Sequence, residues 1–243
     1  MIAMNHARTV PNSETRSEPA RSVSLGTFFV VEGLLSFAPI AILGPAIGWP
    51  QSLGNPATQQ LSAIAANADA VAFGYSVYLL YSILIAPLMI ALAWRLFGGL
   101  QRPLAATVAA FAALSALARA IGILRWLTVM PALATAHAGA DPAGRAQIEM
   151  LFSALNAYGG GIGEVLGVSL FMAASLGCLS VAALAARSMP RVLAGLGLLA
   201  SALLAALALP ALGLPGLVPV AVAVSVLSTW MLAVGVWLFM RRQ

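Results

Sequence analysis

No charged residue occurs between Val192 and Met240. A bilayer's hydrocarbon core is ~30 Å thick, and ~20 apolar residues in a helix cross it. The run is too long for one crossing and about right for two. Ala211-Leu212-Gly213-Leu214-Pro215-Gly216 supplies turn residues mid-way. The stretch therefore reads as a helical hairpin in lipid. The rest of the chain agrees: 61% of residues are hydrophobic and 8% charged, against about 25% charged in soluble domains.

Six spans are expected, at about 24–47, 70–97, 104–130, 162–186, 191–210 and 217–240, within a membrane domain of residues 23–243. Residues 1–22 are polar and read as a flexible tail. A polar link is expected over Trp49–Ala68, and His137 falls in another link. Asp141-Pro142 is a helix start, with an N-cap aspartate and proline at the first helical position. Ile148, Leu151, Phe152 and Leu155 then mark an amphipathic surface helix over about 142–157. Tyr158-Gly159-Gly160-Gly161 is expected to bend the chain into the fourth span. The fold class is an all-α polytopic membrane protein, a bundle of six transmembrane helices.

All twelve cations are arginine. A GC-rich genome accounts for that bias, and the lack of lysine excludes a retinal-type Schiff base. With six spans, Arg8, Arg16, Arg21, Arg95, Arg102, Arg187, Arg191, Arg241 and Arg242 share one side. The positive-inside rule then puts both termini in the cytoplasm and the chain in the cytoplasmic membrane as a multi-pass protein. Trp49, Trp94, Trp126 and Trp237 fall near expected interfaces, and Trp230 falls near mid-depth.

Four ionisable residues lie in or at the edge of spans: Glu32, Arg119, Arg125 and Glu164. Such groups usually face the bundle and have partners. At 1.5 Å per residue, Arg125 and Glu164 are level, ~31 and ~34 Å from the cytoplasmic edge, with Arg119 at ~22 Å and Glu32 at ~12 Å. Tyr75, Tyr78 and Tyr81 share a face of the second span, and Asn156 and Tyr158 precede the fourth. A polar cluster open to the outside is expected from Glu32, Tyr75, Tyr78, Arg119, Arg125, Asn156, Tyr158 and Glu164, with Arg119 reaching Glu164, a tyrosine or water. Gly159, Gly163 and Gly167 are spaced for close helix packing, and Gly44 and Gly48 repeat the interval.

Two histidines, one in the tail and one in a link, provide no pair for haem or zinc. No phosphate loop or Ser/His/Asp constellation is present. The expectation is a non-enzymatic structural or small-ligand-binding bundle with no cofactor. Its partners are the lipid bilayer and a small-molecule ligand, and not nucleic acid. The rival is a small transporter or channel subunit working around Arg119 and Glu164.

Asn156-Ala157-Tyr158-Gly159, a long apolar span, then Ala186-Arg187-Ser188-Met189-Pro190-Arg191-Val192-Leu193-Ala194-Gly195, together with Ala65-Ala66-Asn67 and Arg119, carry a family resemblance. Over about Leu25 to Met240 the chain resembles a widespread bacterial family of six-span membrane proteins catalogued only as a domain of unknown function. The resemblance implies a fold and a membrane location. It implies no activity, cofactor or substrate.

The orientation is testable by cysteine labelling at Ser13 and Thr135 in intact cells. An impermeant reagent should reach position 135 and not position 13; the reverse pattern would overturn the topology.

Overall fold

The computed structural model describes residues 18–241, with side chains from Ser24 onward. Ten α-helices are described, and there is no strand among the described residues. They are α1 (Glu18–Leu35), α2 (Ala38–Ile47), α3 (Ala57–Ala66), α4 (Ala68–Phe97), α5 (Pro103–Leu127), α6 (Val129–Gly139), α7 (Pro142–Gly160), α8 (Met172–Ala186), α9 (Arg191–Ala206) and α10 (Val220–Met240). A π-helical segment, Gly161–Phe171, joins α7 to α8 without interruption. The tail expected over 1–22 lies outside the described residues as far as 17, and from Glu18 the chain is helical.

Proline decides where several helices stop. It has no N–H to give the carbonyl four residues earlier. The helices α1, α5, α8 and α9 end at Leu35, Leu127, Ala186 and Ala206, each four residues before Pro39, Pro131, Pro190 or Pro210. The first span is consequently broken at Ser36–Phe37. The fifth stops at Ala206 rather than at 210, and the chain continues through a 3₁₀ turn, Leu209–Leu212. Glycine ends α4, where Gly98 is left-handed at φ 75° and its N–H bonds the Trp94 carbonyl. At the start of α7, Asp141 Oδ1 accepts from the Gly144 N–H at 2.7 Å, the cap expected of Asp-Pro.

Among the described residues, five helical stretches are long and apolar enough to cross a membrane: Ser24–Ile47, Ala68–Phe97, Pro103–Gly139, Pro142–Ala186 and Val220–Met240. The apolar α9 is shorter, at 16 residues. Side chains agree with lipid exposure, since Phe28, Leu34, Phe73, Leu80, Leu117 and Val181 are each more than half exposed. The protein is a polytopic helical membrane bundle. The helices form a ring of neighbours: α1 on α4, α4 on α5, α5 on the π segment and α8, α8 on α9, α9 on α10, and α10 back on α1.

Several expectations need correction. The link Trp49–Ala68 is folded, with a 3₁₀ turn at Gln51–Gly54 followed by α3. His137 lies in α6, buried, rather than in a loop. Residues 158–161 do not interrupt the helix, so the surface helix of 142–157 is one end of a 45-residue helical stretch. Of the glycines there, Gly159 has its bare face filled by a neighbour, as described below. At ~67 Å this stretch exceeds twice the bilayer core, so roughly half of it stands outside lipid. With α2, α3 and α6 it forms a cap whose own core includes Leu43, Leu61, Ile64, Trp126, Met130 and Phe152. Gly44 and Gly48 are not a packing pair. Gly48 is a left-handed cap at φ 72°, and a Cβ on Gly44 would meet nothing closer than the Trp49 carbonyl, at 3.6 Å.

The expected glycine seam packs against α5. A Cβ on Gly163 would come within 3.0 Å of Gly122 Cα, and one on Gly122 within 2.6 Å of Gly163 Cα. Serines reinforce the ring: Ser115 Oγ donates to Gly167 O at 2.7 Å, Ser175 Oγ to Val108 O at 2.9 Å and Ser201 Oγ to Ala173 O at 2.7 Å. The Ser36 and Ser228 hydroxyls stand 2.7 Å apart across α1 and α10. Trp230 is fully buried, and its indole N–H donates to Leu193 O at 3.1 Å. Such interhelical bonds average about 0.6 kcal/mol in membranes.

Gly163→Ala and Gly122→Ala should each lower the thermal midpoint in detergent, at a cost of about 1–3 kcal/mol for forcing the backbones apart. A Cβ added at Gly161 would have nothing within 4 Å, so Gly161→Ala should leave the midpoint unchanged or raise it. Equal effects at positions 161 and 163 would mean that the seam is not a tight contact.

Candidate functional site

The seam positions two arginines. Arg119 and Arg125 lie on α5 on either side of Gly122, and the glycines opposite leave room for their stems. A Cβ on Gly167 would meet Arg119 Cγ at 2.7 Å, and one on Gly159 would meet Arg125 Cδ at 2.5 Å. The row Gly159, Gly163, Gly167 therefore holds one backbone contact between two arginine slots. Any larger residue at either end would push a guanidinium out of place.

At the inner level Arg119 is 4% exposed. Its guanidinium carbon sits 4.7 Å above the Tyr81 ring, a cation–π contact. Its polar partners are the Tyr81 and Tyr78 hydroxyls and, further off, Glu32. Glu32 reaches the interior from the last turn of α1, just before the break at Ser36–Phe37, and is 1% exposed. Neither of its carboxyl oxygens has a hydrogen-bond partner, and Arg119 Nε, Ser82 Oγ and Tyr75 Oη also have none. Buried polar groups are normally paired, because each unpaired one costs about 1–3 kcal/mol. A buried Glu32 carboxyl left unpaired opposite Arg119 is the chemically distinctive feature of the bundle.

At the outer level Arg125 has three polar partners. Its Nη1 donates to the Gly122 carbonyl, and its Nε donates to Asn156 Oδ1 at 3.2 Å. Its Nη2 lies 3.6 Å from Glu164 Oε1, with the Arg125 and Glu164 side chains 11% and 61% exposed. An aromatic wall separates the levels from the cap. Tyr75 stacks on Trp126 at 4.8 Å, Trp126 meets Phe152 edge-on at 6.3 Å, and Tyr78 meets both Trp49, at 5.6 Å, and Tyr81, at 6.2 Å.

The expected eight-residue cluster thus divides. Glu32, Tyr78 and Arg119 come together with Tyr81, while Arg125, Asn156 and Glu164 form a separate group one to two turns away. Tyr75 lies in the aromatic wall near Arg125 and Glu164, and Tyr158 is outside both groups at 73% exposed. Arg119 meets tyrosines rather than Glu164. The inner group is closed to the outside instead of forming an open pocket. Sequence reading gave Gly122 and Ser115 no role; both lie on the Arg119 face of α5, at i+3 and i−4, which is the signal that could have found them.

The cap holds a further pair. His137 Nε2 lies 2.8 Å from Glu149 Oε1, joining α6 to α7, and this hydrogen bond holds the Glu149 carboxyl below its ordinary value. No group of three or more His, Cys, Asp or Glu residues is placed to hold a metal among the described residues.

The division predicts a coupling pattern. A double-mutant cycle of Arg125→Leu with Glu164→Leu should give a coupling of about 0.5–1 kcal/mol, kept modest by the exposure of Glu164. Arg119→Leu with Glu164→Leu should be additive. Thermal unfolding in detergent reads both, and coupling of Arg119 to Glu164 as strong as that of Arg125 would contradict the two-level arrangement.

A family model described as "Domain of unknown function (DUF4386)" matches residues 25–241. No curated protein and no solved structure matches the chain. The family match covers the ring from Leu25 onward and both polar levels, so the chain belongs to the DUF4386 family, a family of unknown function.

Proposed function

We propose that this protein is a small-ligand-binding bundle of the cytoplasmic membrane, without a catalytic role, whose site is the inner group of Glu32, Arg119, Tyr78 and Tyr81. It has six spans with α9 as the fifth, and both termini face the cytoplasm. The distribution of arginines supports that orientation. The reading rests on one observation: Glu32 is buried opposite Arg119 with both carboxyl oxygens unpaired. A structural staple gains from direct pairing and loses by keeping donors and acceptors apart. Groups held apart but facing one another suit a polar molecule that completes their hydrogen bonds. A carboxyl group, a guanidinium and two phenols favour a small ligand with both donors and acceptors.

A second reading, transport, draws on the helices around the site. Glu32 precedes a broken helix, and Arg119 packs on a π-helical segment. Interrupted helices beside buried charges are typical of substrate sites in secondary transporters, and π segments often accompany function.

Thermal-shift screening of the purified protein against amino acids, amines, carboxylic acids and sugars tests the binding reading. At least one class should raise the midpoint of the native protein. The Glu32→Leu/Arg119→Leu double variant should stay folded, with a midpoint close to native, and lose that response. A response that survives in the double variant, or a native protein that responds to no class, would overturn the assignment. Accumulation of the same compound in proteoliposomes would favour transport over binding alone.

A further inference from the structure

We propose that the turn between α8 and α9, together with the end of α10, binds the phosphate of an anionic phospholipid headgroup through Arg187, Arg191 and Arg241. This site lies apart from the buried group of Glu32 and Arg119 and does not depend on it.

The first observation is the backbone of Arg187. Pro190 stops α8 at Ala186, and the next residue closes the helix in the left-handed conformation, at φ 50° and ψ 32°. Arg187 is the only non-glycine residue with positive φ among the described residues. Glycine is the usual occupant of such a position, because a Cβ there crowds the following carbonyl. The Ser188 N–H still bonds Ala183 O at 3.1 Å and the Arg187 N–H bonds Leu184 O at 3.3 Å, so the cap is complete and needs no arginine side chain. A disfavoured residue whose charge the cap does not use points to a role for the charge.

The second observation is how Arg241 is held. Its Nη2 donates to the Ser188 carbonyl at 3.3 Å, and its guanidinium lies 4.7 Å from the centre of the Trp237 ring. Those two contacts dock the end of α10 onto the turn and fix the guanidinium on the carbonyl of the residue that follows Arg187. Arg191, the first residue of α9, is three residues beyond Ser188. All three arginines are exposed, and no ion pair with a carboxylate forms at any of them among the described residues. Ser188 Oγ, in the same turn, is buried and has no hydrogen-bond partner. Three guanidiniums match the acceptor oxygens of a phosphate.

The surroundings decide between a lipid and a free ion. Val192, beside Arg191, is 81% exposed, and Met240, beside Arg241, is 64% exposed. Apolar side chains flanking the charges suit acyl chains beneath a headgroup, and would offer nothing to phosphate alone. Arginine is the residue suited to bidentate capture of such oxygens, and juxtamembrane cations attract anionic lipids.

The test is the thermal midpoint of the purified full chain in neutral detergent, titrated separately with phosphatidylglycerol, phosphatidylcholine and inorganic phosphate. Phosphatidylglycerol should raise the midpoint by roughly 5 °C at saturation, and the other two should leave it unchanged. Arg187→Gly and Arg241→Gln should each remove most of that rise. Without lipid, Arg187→Gly should melt no lower than native, because glycine suits the left-handed turn. Arg145→Gln, in the cap, should keep the full response. An equal rise with phosphatidylcholine, or with inorganic phosphate, would overturn the headgroup assignment. So would a full response in Arg187→Gly or Arg241→Gln, or its loss in Arg145→Gln.

Discussion

The bundle depends on the contact between α5 and the π segment at Gly122 and Gly163, where two backbones meet without an intervening side chain. Lipid is as apolar as a leucine side chain, so helices in a membrane gain little from hiding hydrophobic surface and rely on close packing and hydrogen bonds. This contact supplies the closeness. Once it is made, Ser115 can reach the Gly167 carbonyl, and the flanking glycines leave slots for Arg119 and Arg125. The charges are thus not additions to a finished scaffold. Their stems occupy space that exists only because residues 159 and 167 are glycine.

The same economy appears where the ring closes. A Cβ on Gly26 would lie 3.0 Å from the Gly235 carbonyl, and one on Gly33 would lie 2.9 Å from Leu232. Thus α1 and α10, at opposite ends of the sequence, meet through small residues, and the paired hydroxyls of Ser36 and Ser228 continue that contact. Fully buried Trp230 then ties α10 to α9 through its indole N–H, which reaches the Leu193 carbonyl. Neighbours distant in sequence are joined by a few directional bonds as well as by the shared apolar core that includes Phe29, Leu193, Met231 and Val234.

Much of this is legible in the residues. Hydropathy marks the membrane stretches because only a helix satisfies its own backbone in lipid. Asp141-Pro142 marks a helix start, and the spacing of Gly159, Gly163 and Gly167 marks a close approach. The partner face is less legible. Gly122 is a lone glycine in α5, and its importance arises only from what lies opposite. Axial distances put Arg125 level with Glu164, but counting along a helix says little about rotation around it, so the assignment of Arg119 to tyrosines needs the three-dimensional arrangement. The cap is hidden because α3 and α6 are short and lack strong boundary signals, and Gly54, Asn55 and Pro56 read as a link. The stops at Leu35, Leu127, Ala186 and Ala206 are encoded by the prolines that follow them, yet apolar residues run on past most of those stops and mask them.

One consequence concerns mechanics. The stretch from Pro142 to Ala186 is one continuous helical run shared by the cap and the ring, π-helical from Gly161 to Phe171. At a length of ~67 Å, a tilt of roughly 5° about its centre would carry each end by ~3 Å. Were the run to tilt as one body about the α5 contact, movement at the cap would arrive at the opposite membrane face as displacement. The two arginine levels lie close to that pivot, where translation is smallest and rotation of the helix surface is felt most directly.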